Sequence, residues 1–500
     1  MDPAKPSPTP RTTITEILVI VVAAIGFLFD TYELLMFPIT ARPALSELLG
    51  QSIKDPALLN EQIGLWIGRI LWIAALCGGI FGLLGGYLID RFGRKTVMIG
   101  AILVYSFSPV AAAFSTSLGM LIVFRCLTFV GVCVEFVAAI TWLAELFPDK
   151  RRRELVIGWT QAFASLGGIV VTVVFQQLTA AKDTLPVLPL PEGFNGQAPW
   201  RYTLLTGLVP GILILFLMPF VPESKVWRAR RDTGGAMSRP SFGQLFSPQL
   251  RRVTIVTTIL SACAYAAAFG ALQLTPAQIV PGLPAFGEQR AELTKTKAKL
   301  EGEVETAAKG SPEGKSASEG LKNANKELVL LKKTTEEKGA SVQLYQELGG
   351  LTGRILLAIL VVYVASKRRL LRIFQIPGLI VFPLTYLFLF QDRPDLFAWG
   401  IFVFGLMTVA QFSYFGEYLP KVFPVHLRGT GASFATNVGG RMIGTFAAFV
   451  TTAVVAPMMS NPNPFIKTAH AAAIVAGSAF LISLIAGFFL PEPKEDVPMV

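Results

Sequence analysis

Long apolar runs separated by short charged turns dominate the chain. Twelve of them, at about 17–39, 62–88, 96–114, 118–146, 155–178, 201–221, 252–275, 347–366, 371–390, 396–418, 430–457 and 468–490, approach the ~20 residues that a helix needs to cross a bilayer. An even number of crossings returns both chain ends to one side. The sharpest boundary is Gly86-Tyr87-Leu88-Ile89-Asp90-Arg91-Phe92-Gly93-Arg94-Lys95, a burst of charge between two apolar runs. Its cations belong at a water interface, and its glycines at 86 and 93 permit a close, sharp turn. With the amino terminus inside, 23 Lys/Arg fall in turns and tails on the cytoplasmic side and 6 on the opposite side, leaving aside one long insertion. This asymmetry sets the expected orientation: a multi-pass protein of a bacterial-type cytoplasmic (inner) membrane with both termini cytoplasmic.

The two halves repeat each other. Span four ends in Glu145-Leu-Phe-Pro148 and span ten in Glu417-Tyr-Leu-Pro420; span six ends in Pro222-Glu223-Ser224-Lys225 and span twelve in Pro491-Glu492-Pro493-Lys494. These offsets of 272 and 269 residues predict an all-α polytopic fold of two pseudo-symmetric six-helix bundles. The expected organisation is a cytoplasmic tail (1–16), a first bundle (17–221), a cytoplasmic linker (222–251), a second bundle (252–490) interrupted by an insertion (281–346), and a second tail (491–500). The second copy of the charged turn is reduced to Ala365-Ser366-Lys367-Arg368-Arg369, without the aspartate, so the lock it forms should be asymmetric.

Within the insertion, 286–309 and 318–338 are rich in Lys, Glu, Ala and Leu. Leu293, Leu300, Val304 and Ala307 form one stripe, and Leu321, Ala324, Leu328 and Leu331 another. The spacing predicts an antiparallel, coiled-coil-like hairpin on the extracytoplasmic side. A flexible linker is the alternative. An extracytoplasmic protein partner for 286–338 is a further expectation.

Composition narrows the class. A chain that is 52% hydrophobic and 15% charged, with mean hydropathy +0.56, is not a soluble enzyme. The net charge of +11 follows membrane topology, so no nucleic-acid partner is expected. The four cysteines sit within apolar runs without metal-ligand or disulfide spacing, and no phosphate-binding loop supports ATP-driven work. The first apolar run is long enough to span, so no cleavable signal is expected.

Charges inside the spans carry the candidate chemistry, because each costs at least ~2.5 kcal/mol at the centre of a membrane helix. Span one contains Asp30-Thr-Tyr32-Glu33, two acids one turn apart that can take up and release a proton. Arg125 on span four reaches a similar depth from the other side, where it can neutralise either acid or hold an anionic solute in a bidentate fork. Glu135, ten residues deeper and too far for the same contact, is a candidate proton relay or, alternatively, the partner of a cation in the bundle. Asn437 and Arg441, four residues apart on span eleven, are candidates for the solute's negative charge. Gln161 and Tyr32 complete the expected substrate site. No metal or cofactor is expected; the proton gradient would supply the energy.

Taken together, Asp90-Arg91-x-Gly93-Arg94-Lys95, the span-one acids, Arg125 with Gly131 and Glu135, and Pro222-Glu-Ser224 resemble the major facilitator superfamily, the twelve-helix secondary transporters. The closest resemblance is to proton-coupled metabolite and aromatic-acid symporters, with sugar-porter-like features. It implies a cytoplasmic gate in which Asp90, Arg91 and Arg94 meet Glu145, with Gly86, Gly93, Arg151, Glu223, Glu417 and Arg428 around them. It also implies alternating access, proton-coupled symport of a small organic anion, and a functional monomer. The near alternative is a proton-coupled sugar porter, although Ser261 to Gly270 lacks the paired glutamines of sugar porters. A receptor or scaffold acting through the hairpin is the alternative from another class.

Overall fold

The computed structural model describes residues 13–147, 150–221, 223–224, 227–229, 242–306, 312–424 and 427–492; Pro148, Pro222, Lys225, Ala307, Pro493 and Lys494 of the expectations above lie outside them. The side chains of Asp90, Arg151, Gln161 and Arg428 are likewise outside the described set. Twelve helices among the described residues are long and apolar enough to cross a membrane: α1 (Glu16–Gly50), α2 (Pro56–Ile89), α3 (Arg94–Ala113), α4 (Leu118–Leu143), α5 (Phe163–Ala180), α6 (Pro199–Phe220), α7 (Arg251–Gly282), α8 (Lys315–Tyr363), α9 (Lys367–Asp392), α10 (Pro394–Leu419), α11 (Thr430–Met458) and α12 (Pro464–Phe488). They form two six-helix bundles. We refer to the side where α1 begins and α12 ends as the terminal face, and to the other as the distal face.

Local chemistry starts these helices where the polar punctuation predicts. Thr13 and Glu16 form a reciprocal capping box at the start of α1. Asp55 before Pro56, Ser117 before Leu118 and Asn463 before Pro464 each accept a hydrogen bond from the first turn of α2, α4 and α12. The helix of α1 extends to Gly50, well beyond the expected end near residue 39, and runs through Pro38 and Pro43. Part of α11 is π-helical, over Phe434–Gly444 and Val450–Val455.

The insertion contains the expected pair of packed helices, with one difference. Its first arm is Pro284–Thr306, but its second arm and span eight are a single 52-residue helix, Pro312–Tyr363. No proline interrupts 339–346 and Gly339 is its one glycine, so nothing in that stretch stops the helix between the arm and the membrane. Leu293, Ala324 and Leu331 are buried along the seam between the arms, whereas Val304 is 37% exposed.

Contacts between the bundles follow α2 and α5. Trp72 of α2 packs edge-on against Phe446 of α11, with ring centroids 4.8 Å apart, and lies 5.9 Å from Phe449. Gln278 Nε2 of α7 donates to Gly64 O of α2 at 3.0 Å, toward the distal face. On the other side of the interface, Gln343 Nε2 of α8 donates to Leu35 O of α1 and to Thr172 Oγ1 of α5.

The terminal face repeats one arrangement in each half. In the first, Arg94 forks onto Glu145, at 2.7 and 3.0 Å, while Glu223 accepts the backbone N–H groups of Arg94 and Lys95 and so caps α3. Gly93 between the two helices has φ +93°, and a Cβ there would stand 2.4 Å from Glu223 Oε2, so only glycine fits. In the second half Lys367 pairs with Glu417 at 3.2 Å, and Glu492 accepts the backbone N–H groups of Lys367 and Arg368 and the Ser366 hydroxyl. The reduced signature thus keeps both the cap and the ion pair, with lysine in place of arginine. Burial pushes the Glu492 carboxyl up, but the Ser366 and backbone donors outweigh it and hold it below the usual range.

Candidate functional site

The sequence places Asp30 and Glu33 on one helix; the structure sends them to different neighbourhoods. Asp30 faces Glu135 of α4, with Arg441 of α11 and the Cys133 thiol close by. Glu135 comes so near α1 that a Cβ at Gly26 would lie 2.4 Å from its Oε1. Asp30 and Glu135 are both buried, and none of their four carboxylate oxygens has a protein donor. The two acids lie within reach of each other, and a hydrogen bond between them requires one shared proton. Tyr105, fully buried with an unpartnered hydroxyl, adjoins this group and Glu33.

Arg441 completes the cluster from the second bundle. Its Nη1 donates to Asn437 Oδ1 at 2.7 Å, as their i,i+4 spacing predicts, and Asn437 Nδ2 donates to Ser433 Oγ at 3.0 Å. The guanidinium lies 5.5 Å from the Phe136 ring of α4, across the bundle interface. One cation from the second bundle therefore faces the acid pair of the first through Asp30.

Arg125 lies beside Glu33, one of the two acids it was expected to neutralise, and bonds the backbone as well. Its Nη1 and Nη2 donate to the backbone carbonyls of Glu33 and Leu34, at 2.7 and 2.9 Å, and its guanidinium lies about 5 Å from the rings of Phe37 and Phe129. The cause is Pro38, which has no N–H for the carbonyl four residues earlier, that of Leu34. Arg125 satisfies this orphaned acceptor and is the cation nearest the Glu33 carboxylate. Glu33 is fully buried beside Gly207 and Pro109, also without a protein donor. A small cavity with room for about one water molecule is lined by Arg125, Thr40, Thr128 and apolar neighbours. Tyr32, expected to meet solute, is 2% exposed, and its hydroxyl contacts Thr206 Oγ1 at 2.5 Å.

Asp30 and Glu135 meet because α1 and α4 are antiparallel. With Arg125 against residues 33–34, a point ten residues later on α4 falls near residue 24–26 of α1, close to where Glu135 is found. That register was the available sequence signal. At the terminal face, Arg94, Glu145 and Glu223 come together as expected, and Glu417 joins the equivalent group in the second half. Arg91 instead donates to Tyr87 of its own helix. Sequence reasoning missed the buried polar residues of α8, Gln343, Gln346 and Glu347, which lie on the interface with the first bundle or next to it.

Two six-helix bundles with charged groups buried at their interface define a polytopic protein of the secondary-transporter architecture. The model of the Major Facilitator Superfamily matches residues 17–296, more than half of the chain, and the chain belongs to that superfamily. The cis,cis-muconate transport protein of Acinetobacter baylyi is 23% identical over 451 residues, 89% of each chain. The 4-hydroxybenzoate transporter PcaK of Pseudomonas putida is 32% identical over 179 residues, 35% of this chain and 36% of its own. The chain spans about half the length, or less, of the first curated relatives it matches. A partially occluded, inward open structure of the xylose transporter XylE from E. coli superposes with a TM-score of 0.64 at 16% identity, over 97% of this chain and all of that one, a likeness of fold.

Proposed function

We propose that this protein is a proton-coupled carrier of a small organic anion that works by alternating access in a bacterial-type cytoplasmic membrane, with its terminal face cytoplasmic. The observation that supports this reading best is the acid pair Asp30–Glu135, which has no protein donor and faces Arg441 across the bundle interface. With the pair ionised, Arg441 is held through Asp30. A proton shared by the pair weakens that hold and leaves the guanidinium able to bind a solute carboxylate. Proton and anion therefore favour each other's binding without meeting directly. Relatives named for muconate and 4-hydroxybenzoate transport make an unsaturated or aromatic carboxylate the first choice of solute. The Arg94–Glu145 and Lys367–Glu417 pairs would brace the two halves of the cytoplasmic gate.

The test is proton movement in proteoliposomes, followed with an internal pH dye while cis,cis-muconate, 4-hydroxybenzoate and a panel of sugars are added outside. Internal acidification with one acid, lost in Arg441→Ala, is the expected result. A response confined to sugars would replace the anion reading with a sugar porter. No proton movement with any compound would overturn proton coupling.

A further inference from the structure

Near the distal end of α1, Arg42 is a meeting point of both bundles. Its Nε donates to Ala277 O of α7, its Nη1 donates to Asn60 Oδ1 of α2 at 3.0 Å, and its guanidinium lies 4.7 Å from the Phe465 ring of α12. Arg290 of the insertion's first arm lies 5.2 Å from the same ring. Two guanidinium groups on one ring repel each other, so the junction favours an anion. The insertion supplies one: Gln343 of α8 bonds Leu35 O of α1, so seven residues back toward the distal face Glu336 comes level with Arg42, within electrostatic reach of it and of Lys182 but without a direct ion pair, and its Oε1 is buried with no donor.

The same helix face continues inward. At Gly339 it lies so close to α7 that a Cβ would stand 2.8 Å from Pro276 O. Gln343 then donates to Leu35 O and Thr172 Oγ1, and Glu347 lies against Gly168 of α5. Positions 336, 340, 343 and 347 share one face, and Ala340, Gln343 and Glu347 are all buried. An unbroken helix thus carries one contact surface from outside the membrane into the bundle interface, against the first bundle for most of its length.

We propose that the insertion is a working part of the distal gate: Glu336 holds Arg42 and Lys182 when the distal side is closed, and the unbroken α8 makes the insertion move with the second bundle. An attraction present with the distal side closed and lost when it opens meets the condition for shifting an equilibrium between the two conformations. It rests on the alternating access proposed above, but it needs neither a solute nor a protein partner to operate.

The experiment uses the full chain in nanodiscs, with its native cysteines replaced and spin labels on Leu58→Cys and Met458→Cys. These are exposed distal positions on α2 and α11, one in each bundle. Without solute, wild type should show mainly the short inter-label distance. Glu336→Gln should raise the long-distance fraction about two- to fivefold, the range expected when a partly exposed charge attraction is removed. Lys182→Gln should move it the same way, and Glu336→Asp should restore most of the wild-type distribution. Distance distributions unchanged in both glutamine variants, each monodisperse, would overturn the proposal, as would a shift toward the shorter distance. Because the labels report bundle movement directly, failure of proton-driven uptake would defeat the carrier reading and leave this result standing.

Discussion

Asp30 on α1 and Glu135 on α4 face each other in the interior of the first bundle, with no protein donor for any of their four oxygens. Such a pair is stable only if it holds a proton or attracts a cation, and Arg441 comes from the opposite bundle to fill the second role. The binding of a proton and the position of the second bundle are thereby linked.

Two groups that share one proton act as a unit. Asp30→Asn and Glu135→Gln should each reduce proton-driven uptake by about tenfold or more, and the double variant should lose little beyond either single change. Solute exchange in the absence of a gradient should persist in all three. Multiplicative losses, measured as initial uptake rates, would mean that the two acids work separately.

Arg125 is tied to the backbone defect made by Pro38, which gives a second prediction. Arg125→Met leaves the Leu34 carbonyl buried without a donor and should destabilise the protein by about 1–3 kcal/mol. Adding Pro38→Ala returns an N–H to that carbonyl, so the double variant should recover part of the loss. Thermal unfolding in detergent reads both. An equal cost of Arg125→Met with and without Pro38 would show that the arginine serves mainly the Glu33 carboxylate.

The cap formed by Glu492 is expected to be pH-dependent. Its carboxyl titrates below the ordinary range in the folded protein, so the folded state binds this proton less tightly than the unfolded chain does. The stabilisation is therefore complete at neutral pH, above the ~4.3 of an ordinary glutamate, and is lost as pH falls below it. Glu492→Gln should lower the melting temperature at pH 7, and the gap between variant and wild type should narrow toward pH 4. A gap that stays constant with pH would assign the effect to packing rather than to the charge.

The sequence by itself determined the number of spans, the duplication, and the meeting of Arg94, Glu145 and Glu223 at the terminal face, though not the turn of Arg91 to Tyr87. Those features are written in consecutive residues: twenty apolar positions in a row, a capping residue before a proline, a Glu-x-x-Pro and a Pro-Glu pair recurring about 270 residues later. The helical character of the insertion was legible for the same reason, since heptad spacing is local. Tertiary structure decided which charge meets which. Asp30 and Glu33 are neighbours in the chain, yet one faces Glu135 and Arg441 and the other lies near Arg125, because the rise and the ~60° rotation between them bring each to a different depth of α4. The role of Arg125 depended on a proline in another helix, and that of Glu336 on a helix continuing where two had been expected. Such pairings are set by the register and rotation of packed helices, which emerge when the whole bundle assembles and are not encoded in any single run of residues.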